Sequence, residues 1–373
     1  MSGAQLPPGA VVTPAVVVDT DALDANLSEM ADSAARRGLV VRPHVKTHKS
    51  AEIARRQLAL GAVGITVATV GEAEAFAAAG VGDIFIAYPL WADQDRAGRL
   101  RDLATRIRLS VGVDSVAAVR ELATALRGGA AVLSLVPARV LVEVDCGLRR
   151  SGVDPAGAGV VAAAAAAEGL PVDGVFTFPG HSYTPGGVES AAADEAAALA
   201  AAAASLAGAG LPCPVRSGGS TPSAAWSAGP ADGGPVTELR PGVYCFNDAN
   251  QVVLGSCPVD RVALSVLATV VSTPAPDRFI LDAGAKVLGQ DRSAWSPGHG
   301  LLPDFPGAVI TGLWEHHAVA VPGPDGARPE LGDQVTVIPN HVCTVVNLVD
   351  YVNVARDGKL VDRWPVDARG RNT

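Results

Sequence analysis

Short apolar runs alternate with helical segments from the N-terminus to about residue 243. Each run is rich in β-branched residues, and apolar positions recur at helical spacing in the stretch that follows it. This alternation is typical of parallel βαβ units, and about eight of them predict an α/β fold with a (β/α)8 TIM-like barrel. The runs lie at residues 11–19, 39–46, 64–68, 83–87, 107–111, 139–144, 172–178 and 214–217.

An open, doubly wound sheet is the alternative that the same alternation allows. A dinucleotide-binding sheet of that kind carries G-x-G-x-x-G after its first strand, and no such pattern follows residues 11–19. The barrel is therefore the expected architecture, and a dinucleotide site has no support.

The pattern changes after about Asn250. Helical periodicity becomes weak, and β-rich segments follow one another with Pro and Gly between them. Residues 322–326 and 356–359 have the composition of hairpin turns. We therefore predict an additional, mostly antiparallel β domain. Its segments lie at residues 262–272, 279–283, 309–313, 318–321, 334–339 and 349–356.

Composition and charge exclude several classes of protein. The chain has 373 residues, of which 49% are hydrophobic, which is enough for a large core and excludes wholesale disorder. The net charge of −9 disfavours binding to a phosphate backbone, and an aromatic content of 4% disfavours stacking on single strands. We expect no nucleic-acid partner.

Neither a membrane segment nor a secretion signal is expected. Residues 1–10 show no basic stretch followed by an apolar one. The Ala-rich run at 191–210 is interrupted by Asp194, Glu195 and Ser205, so it predicts a soluble helix and no membrane contact. The five cysteines show no paired spacing, which fits a reducing compartment. A cytoplasmic enzyme is the expected class.

Two of the four lysines, Lys46 and Lys49, lie within the short segment 42–49. On a strand, the side chains of His44, Lys46 and His48 would share one face, at the end where barrel active sites lie. Burial beside other cations favours a neutral, nucleophilic amine of the kind that forms Schiff bases. A solvated basic loop is the alternative interpretation.

The segment 216–223 reads Arg-Ser-Gly-Gly-Ser-Thr-Pro-Ser and follows a predicted strand. Paired glycines allow backbone N–H groups to converge, and Pro222 suits the first turn of a helix. Such a turn at a helix N-terminus binds phosphate, and barrel phosphate sites often lie on the late loops. An ordinary Gly/Ser turn is the alternative.

His341 and Cys343 lie two residues apart in the β-rich part, so an extended segment would place them on one face. Imidazole and thiolate suit zinc. Two protein ligands are too few for a structural site, so water or substrate would complete the coordination. A half-buried cysteine near an ordinary histidine is the alternative.

Two further predicted strands end in polar residues. Segment 143–152 contains Glu143, Asp145 and Arg150, and segment 178–183 contains His181 and Tyr183. A surface ion-pair cluster and a packed loop histidine are the respective alternatives. Strand ends of a parallel barrel meet at one face, which would bring these side chains towards the lysine and the Gly/Ser segment.

The chain contains three motifs in this order: P-H-V-K-T-H-K at 43–49, S-G-G-S-T-P at 217–222 and P-N-H-x-C at 339–343. Together they resemble the motifs of the family of D-threonine aldolases and D-serine dehydratases. These are pyridoxal-phosphate enzymes of the alanine racemase-like fold type III. The resemblance extends from Thr13-Pro14 to residues 369–372. It implies a cofactor-binding barrel at 21–249, and a β-rich domain formed by 1–20 with 250–373 that carries the metal ligands.

The resemblance also implies roles for individual residues. Lys46 would hold pyridoxal 5′-phosphate covalently, and a divalent metal ion would coordinate the β-hydroxyl of the substrate. A thiolate ligand favours zinc, with manganese or magnesium as alternatives. The other implied residues are Arg150 near the cofactor ring, Tyr244 beside the cofactor, Ser217, Gly218, Gly219, Ser220 and Thr221 at its phosphate, His181 near the hydroxyl, and His341 and Cys343 at the metal.

The implied activity is that of a lyase acting on a small D-3-hydroxy amino acid. Cysteine at position 343 favours a D-serine dehydratase type of reaction, giving a keto acid and ammonia, because aldolases of the family more often carry a carboxylate there. D-threonine aldolase-type cleavage to glycine and an aldehyde is the alternative. Three further alternatives explain the sequence less well. An amino-acid racemase has no use for the H-x-C motif, and a non-catalytic cofactor-binding protein is typically a barrel without a β domain. A barrel enzyme without pyridoxal phosphate leaves the clustered lysines unexplained. Relatives of this fold imply a homodimer.

Overall fold

The computed structural model describes residues 9–127 and 138–373 and divides into two compact units. The first 8 residues, which fall in the N-terminal segment without a secretion pattern, lie outside the described residues. The barrel unit comprises Met30–Lys46, Ile53–Gly242 and Gly370–Thr373. The β unit comprises Met1–Glu29, Thr47–Glu52 and Val243–Arg369.

The strands are numbered along the chain, and β1 (Ala15–Asp19) belongs to the β unit. The next eight strands form one parallel sheet in the order β2-β9-β8-β7-β6-β5-β4-β3. They are β2 (Val40–Val41), β3 (Ile65–Val67), β4 (Asp83–Ile86), β5 (Arg108–Val113), β6 (Arg139–Glu143), β7 (Val172–Phe176), β8 (Val215–Gly218) and β9 (Glu238–Leu239).

The two ends of this sheet meet, which makes it a barrel. The amide of Thr66 in β3 donates to the carbonyl of Pro43, just beyond β2, at 2.8 Å. His44 and Thr66 form a parallel bridge at the same place. The predicted (β/α)8 barrel is therefore confirmed.

Three strand predictions differ from the structure. The run at 11–19 forms β1 outside the barrel, and the eighth barrel strand is the short β9, which was not predicted. The run at 39–46 is a strand only as far as Val41, and the chain then forms a 3₁₀ turn at Val45–Thr47. Pro43 contributes to this early end because it has no amide to donate to a neighbouring strand.

Helices follow the strands as predicted, and side chains cap two of them. Thr69 accepts from the amide of Glu72 at the start of α3, and Asp93 accepts from that of Arg96 at the start of α4. Among the described residues, no helix combines the length and apolarity needed to cross a membrane. The helices are α1 (Thr20–Arg36), α2 (Ala51–Ala59), α3 (Val70–Ala78), α4 (Gln94–Arg106), α5 (Val116–Arg127), α6 (Ala158–Ala167) and α7 (Val188–Gly208).

The β unit contains a second sheet in the order β12-β13-β11-β10-β1-β15-β16, with β14 paired to β10. Its pairs are antiparallel except for β1 with β15. The predicted antiparallel domain, joined by the N-terminal strand, is thus confirmed. Its remaining strands are β10 (Leu264–Ala275), β11 (Arg278–Leu281), β12 (Val309–Leu313), β13 (Ala318–Val321), β14 (Gln334–Val337), β15 (Tyr351–Arg356) and β16 (Lys359–Pro365).

Three short helices of the β unit were not predicted: α8 (Ala249–Val253), α9 (Ala285–Leu288) and α10 (Val342–Leu348). The last one corrects the extended segment expected at 339–343. His341 is the N-cap of α10, and Cys343 lies in its first turn. The buried residues Val342, Val345 and Val346 have the spacing of a helix face, a signal that was available in the sequence.

Candidate active site

Lys46 and Arg150 both lie beside the ring of Phe178. Lys46 is partly exposed in the 3₁₀ turn after β2, and its Nζ is 6.0 Å from the ring centroid. The guanidinium carbon of Arg150, from the loop after β6, is 5.3 Å from the same centroid. Phe178 itself follows β7. The carboxyl ends of β2, β6 and β7 therefore bring an amine and a guanidinium to one aromatic surface, where barrel active sites lie.

The expectation that His44, Lys46 and His48 share a strand face is wrong, because this segment turns instead of extending. His48 is buried, and its Nδ1 accepts from the amide of Ser50 at 3.1 Å. Lys49 Nζ donates to Asn347 Oδ1 at 2.8 Å within the β unit. Lys46 keeps the position that the prediction gave it, at the carboxyl end of β2.

His181 lies in the 3₁₀ turn Gly180–Ser182 and is held by a carboxylate. Its Nε2 donates to Asp194 Oδ2 on α7 at 3.2 Å. Gly147 packs against the ring, since a Cβ placed there would lie 3.6 Å from Cε1 of His181. The buried Nδ1 has no hydrogen-bond partner among the described residues. Asp194 thus favours the tautomer in which Nδ1 is left as an acceptor.

Glu143, the last residue of β6, is a second buried polar group at this end of the barrel. Ser151 donates to its Oε1 at 2.8 Å, while its buried Oε2 has no partner among the described residues. Burial raises the pKa of Glu143, and the Ser151 hydrogen bond and the charge of Arg150 oppose that rise. Like His181, this carboxyl presents an unpaired buried atom that a bound polar ligand could satisfy.

The Gly/Ser segment after β8 packs against α7. The amide of Gly219 donates to Glu195 Oε1, and the amide of Ser220 donates to Ser223 Oγ at 3.0 Å. Gly218 has no room for a side chain, because a Cβ there would lie 2.0 Å from the same Glu195 oxygen. The Gly219 amide and the space at Gly218 are therefore occupied by internal packing, and the role of these residues at a phosphate stays a prediction.

The hydroxyl groups of the same segment are also connected. Ser220 Oγ lies 2.8 Å from both Ser182 Oγ and Ser223 Oγ, and all three residues are buried. Thr221 is partly exposed. Turns occupy residues 221–226, so the helix expected after Pro222 is absent from this described segment. Thr221 is the predicted phosphate residue whose side chain retains access to solvent.

Ser217 lies inside the barrel instead of in the loop. Its hydroxyl donates to Glu238 Oε1 at 2.6 Å and accepts from Arg240 Nη1 at 2.5 Å. Arg240 also donates to the carbonyl of Thr177, and burial lowers its pKa. Both of these contacts of the Ser217 hydroxyl are internal, and the place of this residue at a cofactor phosphate stays a prediction.

The β unit places His341 against a buried carboxylate. His341 Nδ1 donates to Asp248 Oδ2 at 3.1 Å. Asp248 is fully buried and also accepts from the amides of Gln251 at 3.0 Å and Val342 at 3.4 Å. An imidazole held in this way presents Nε2 to a metal, an arrangement common around metal-binding histidines. Asp248 was not predicted, and its sequence signal is its N-cap position before α8.

Cys343 lies next to His341, as the H-x-C motif predicted. The Cys343 thiolate, followed by the hydrogen bonds to Asp248 and Cys343, raises the pKa of His341 well above its ordinary value. Cys343 Sγ lies 3.4 Å from Thr47 Oγ1. The described residues contain no group of three or more His, Cys, Asp or Glu side chains that could hold a metal. An imidazole and a thiolate fit zinc with its other positions open to small ligands.

Tyr244 lies in the β unit, in the 3₁₀ turn Val243–Cys245. Its side chain is buried, at 6% exposure. Only the sequence resemblance assigns Tyr244 a place beside a cofactor, so that role stays a prediction.

Comparison with known proteins gives consistent results along the whole chain. Residues 18–250 match the family "Alanine racemase, N-terminal domain", and residues 263–355 match a "Putative serine dehydratase domain". A D-threonine aldolase of Arthrobacter sp is 37% identical, over 99% of this chain and 97% of its own length. A D-threo-3-hydroxyaspartate dehydratase of Delftia sp. (strain HT23) is 37% identical, over 94% of this chain and 96% of its own.

A solved structure gives the same result in three dimensions. It shows a cysteine-to-alanine variant of a D-threo-3-hydroxyaspartate dehydratase in its metal-free form. The two chains share 35% identity and a TM-score of 0.85, with 95% of this chain and 97% of the other covered. The similarity therefore includes the fold of both units.

Proposed function

Because this chain belongs to the alanine racemase-like family of D-threonine aldolases and D-serine dehydratases, which are pyridoxal-phosphate-dependent lyases, we propose that it dehydrates a D-3-hydroxy amino acid at a metal-assisted site. D-Serine or a related compound is the proposed substrate, and a keto acid and ammonia are the products. The observation that carries this proposal is the His341 imidazole, oriented by buried Asp248, with the Cys343 thiol next to it.

The barrel residues fit the cofactor chemically. Lys46 supplies a partly exposed primary amine at the end of β2, and Arg150 supplies a cation beside the same aromatic ring. The buried, unpaired atoms Glu143 Oε2 and His181 Nδ1 belong to the same set of strand-end loops. We assign covalent attachment to Lys46, the ring to Arg150 and Phe178, and the phosphate to the loop containing Gly219, Ser220 and Thr221. When bound, pyridoxal phosphate withdraws electrons from the substrate α-carbon.

The chain's own groups then handle protons and the leaving group. Lys46 Nζ accepts the proton from the substrate α-carbon, as a positioned amine base can. His341 Nε2 and the Cys343 thiolate would hold the divalent ion, which would supply Lewis acidity to the β-hydroxyl. His181, held by Asp194, would accept a hydrogen bond from that β-hydroxyl at Nδ1 and so orient it, and the departing hydroxide would combine with the proton released from Lys46 to form water. Hydrolysis of the resulting enamine consumes one water and gives the keto acid and ammonia.

Zinc is the proposed metal. Thiolate and imidazole are both ligands that zinc accepts, whereas manganese and magnesium prefer oxygen ligands. The relative whose cysteine-to-alanine variant was solved in a metal-free form supports a link between a cysteine and a metal in this family.

Retro-aldol cleavage is the second candidate, favoured by His181. With Nε2 donating to Asp194, the buried Nδ1 is an acceptor that could take the proton of a substrate β-hydroxyl. Loss of that proton would break the Cα–Cβ bond and release glycine and an aldehyde. The D-threonine aldolase among the relatives supports this alternative.

Absorbance and product analysis test the proposal together. The purified chain with pyridoxal phosphate and zinc is scanned between the ultraviolet and the visible, then supplied with D-serine or D-threonine. We expect a cofactor band that disappears in Lys46→Ala and persists in Lys359→Ala, a matched change of an exposed lysine. Pyruvate and ammonia from D-serine would support dehydration, whereas glycine and acetaldehyde from D-threonine would select the aldolase. Absence of any band would overturn the whole proposal.

A further inference from the structure

Glu195 is a buried carboxyl that the proposed chemistry does not use. It lies on α7, a helix made mostly of alanine, and is completely inaccessible to solvent. Its Oε1 accepts from the amide of Gly219, and its Oε2 lies 3.2 Å from the hydroxyl of Ser227. Gly219 lies in the proposed phosphate loop, and Ser227 lies at the end of the turns that follow it. The Glu195 carboxyl therefore connects both ends of the segment 219–227 to α7.

The loop is shaped around this carboxyl. A Cβ at Gly218 would lie 2.0 Å from Glu195 Oε1 and 2.6 Å from its Cδ. Gly219 has a φ of +83°, a conformation that glycine adopts at little cost. The carboxyl and the two glycines are therefore matched to one another, and a different side chain at 195 would change the path of the Gly218–Gly219 backbone.

The surroundings of Glu195 favour its neutral form. Burial raises its pKa to about 7, against the opposing effects of the Gly219 amide, the Ser227 hydroxyl and the charge of Arg240. The Cys146 thiol also interacts with this carboxyl, and burial raises its own pKa to about 11. Arg240 is the only cation among the groups that influence Glu195 in the described residues, and its other hydrogen bonds go to Ser217 and Thr177.

In the structure Ser227 Oγ donates to Glu195 Oε2 at 3.2 Å. When Oε2 carries a proton, that proton is donated to Ser227 Oγ instead, Oε1 still accepts from the Gly219 amide, and the Ser227 hydrogen turns to the carbonyl of Ser223, 3.4 Å away. A glutamine at this position would make the same contacts, because its carbonyl accepts and its amide donates. Glu195→Gln is consequently a permanent copy of the protonated state.

We propose that Glu195 is the positioning residue of the cofactor-phosphate loop, holding the Gly218–Gly219 turn in its binding conformation while protonated and weakening phosphate binding once ionised. The proposal rests on the proposed function, which assigns the phosphate to this loop. Ionisation places a buried negative charge directly behind a loop that receives an anion, and the two charges repel. Binding is then linked to protonation, so affinity falls by up to about tenfold for each pH unit once Glu195 ionises.

The test measures affinity for a phosphate ligand that cannot react with Lys46. Pyridoxine 5′-phosphate lacks the aldehyde, so its dissociation constant, measured by calorimetry on the full chain at pH 6 to 9, reports non-covalent binding alone. In the wild type we expect the affinity to fall by tenfold or more between pH 7 and 9. Glu195→Gln should match the wild type within about twofold at pH 6 and lose this decline. Glu189→Gln, an exposed change on the same helix, should follow the wild type throughout.

Each outcome decides a different point. An equal decline in Glu195→Gln and the wild type would overturn the positioning role while leaving the proposed function intact. Glu195→Ala should bind at least tenfold more weakly even at pH 6, because it loses both hydrogen bonds, and equal binding would also overturn the role. If circular dichroism shows that Glu195→Ala does not fold, the pH dependence of ligand affinity in Glu195→Gln alone decides whether Glu195 has this role. Failure of the wild type to bind either this ligand or pyridoxal phosphate would overturn the proposed function and this inference with it.

Discussion

Replacing Asp248 with asparagine should weaken zinc binding without unfolding the β unit. The asparagine carbonyl can still accept from the Gln251 amide and cap α8, which Asp248 Oδ1 does at 3.0 Å. The new NH₂ group, however, cannot accept from His341 Nδ1–H, which now donates to Oδ2 at 3.1 Å. His341 then favours the tautomer with its proton on Nε2, the nitrogen assigned to the metal.

The magnitude follows from the bond that is lost. A hydrogen bond from an imidazole to a buried carboxylate contributes about 1.5–3 kcal/mol, and loss of a partner that orients a metal-binding histidine typically costs 10–100-fold in metal affinity. We therefore expect the dissociation constant for zinc to be about 10–100-fold higher in Asp248→Asn than in the wild type. Competition with a chromophoric chelator measures this constant, and Asp260→Asn, an exposed change in the same unit, is the control. Zinc affinity in Asp248→Asn equal to that of the wild type would refute the reasoning.

Three further predictions concern the metal, the loop and pH. Cys343→Asp should shift metal content from zinc towards manganese or magnesium, because an oxygen ligand replaces sulfur; unchanged zinc preference in elemental analysis would contradict the assignment. Gly218→Ala should lower the free energy of unfolding by about 1–3 kcal/mol in urea, since its Cβ would meet Glu195, whereas Gly82→Ala has open space and should not. The pKa of Glu195 is raised from 4.5 to about 7, so its contribution to stability is present below pH 4.5 and is lost as pH rises through about 7. Between pH 4.5 and 9 the free energy of unfolding of the wild type should fall by on the order of 3 kcal/mol more than that of Glu195→Gln, which has no carboxyl to ionise. If the two free energies changed with pH in parallel, ionisation of Glu195 would cost little.

The fold was largely predictable because hydrophobic periodicity reports burial directly. The runs that became β4, β5, β6 and β7 are apolar over most of their length, and so are those that became β12 and β13. The strand that was missed, Glu238–Leu239, has two residues and begins with a charged one. Glu238 is nevertheless buried at 3% exposure, because Arg42 and Ser217 bind its carboxylate inside the barrel. A local pattern scores such a residue as exposed, and its partners lie far away in the sequence.

The candidate site was predictable in its residue types and less so in its geometry. The H-x-C motif placed His341 beside Cys343 although the segment begins a helix instead of extending. Lys46 lies at the end of β2 as expected, but in a 3₁₀ turn that breaks the shared face with His48. Chemical identity survives these differences, because a lysine amine or an imidazole keeps its reactivity in any backbone conformation that exposes it to a ligand.

The sequence by itself determined the barrel, the antiparallel unit, and the amine, imidazole and thiol that such chemistry needs. Only the tertiary structure decided which carboxylates serve those groups. Asp194 and Glu195 interrupt an alanine run in the sequence, yet one holds His181 and the other holds Gly219. Asp248 reaches His341 from 93 positions away. The physical reason is clearest for Glu195 and Asp248, because a buried carboxylate is stable only where donors converge on it, and that convergence exists only once the chain has folded.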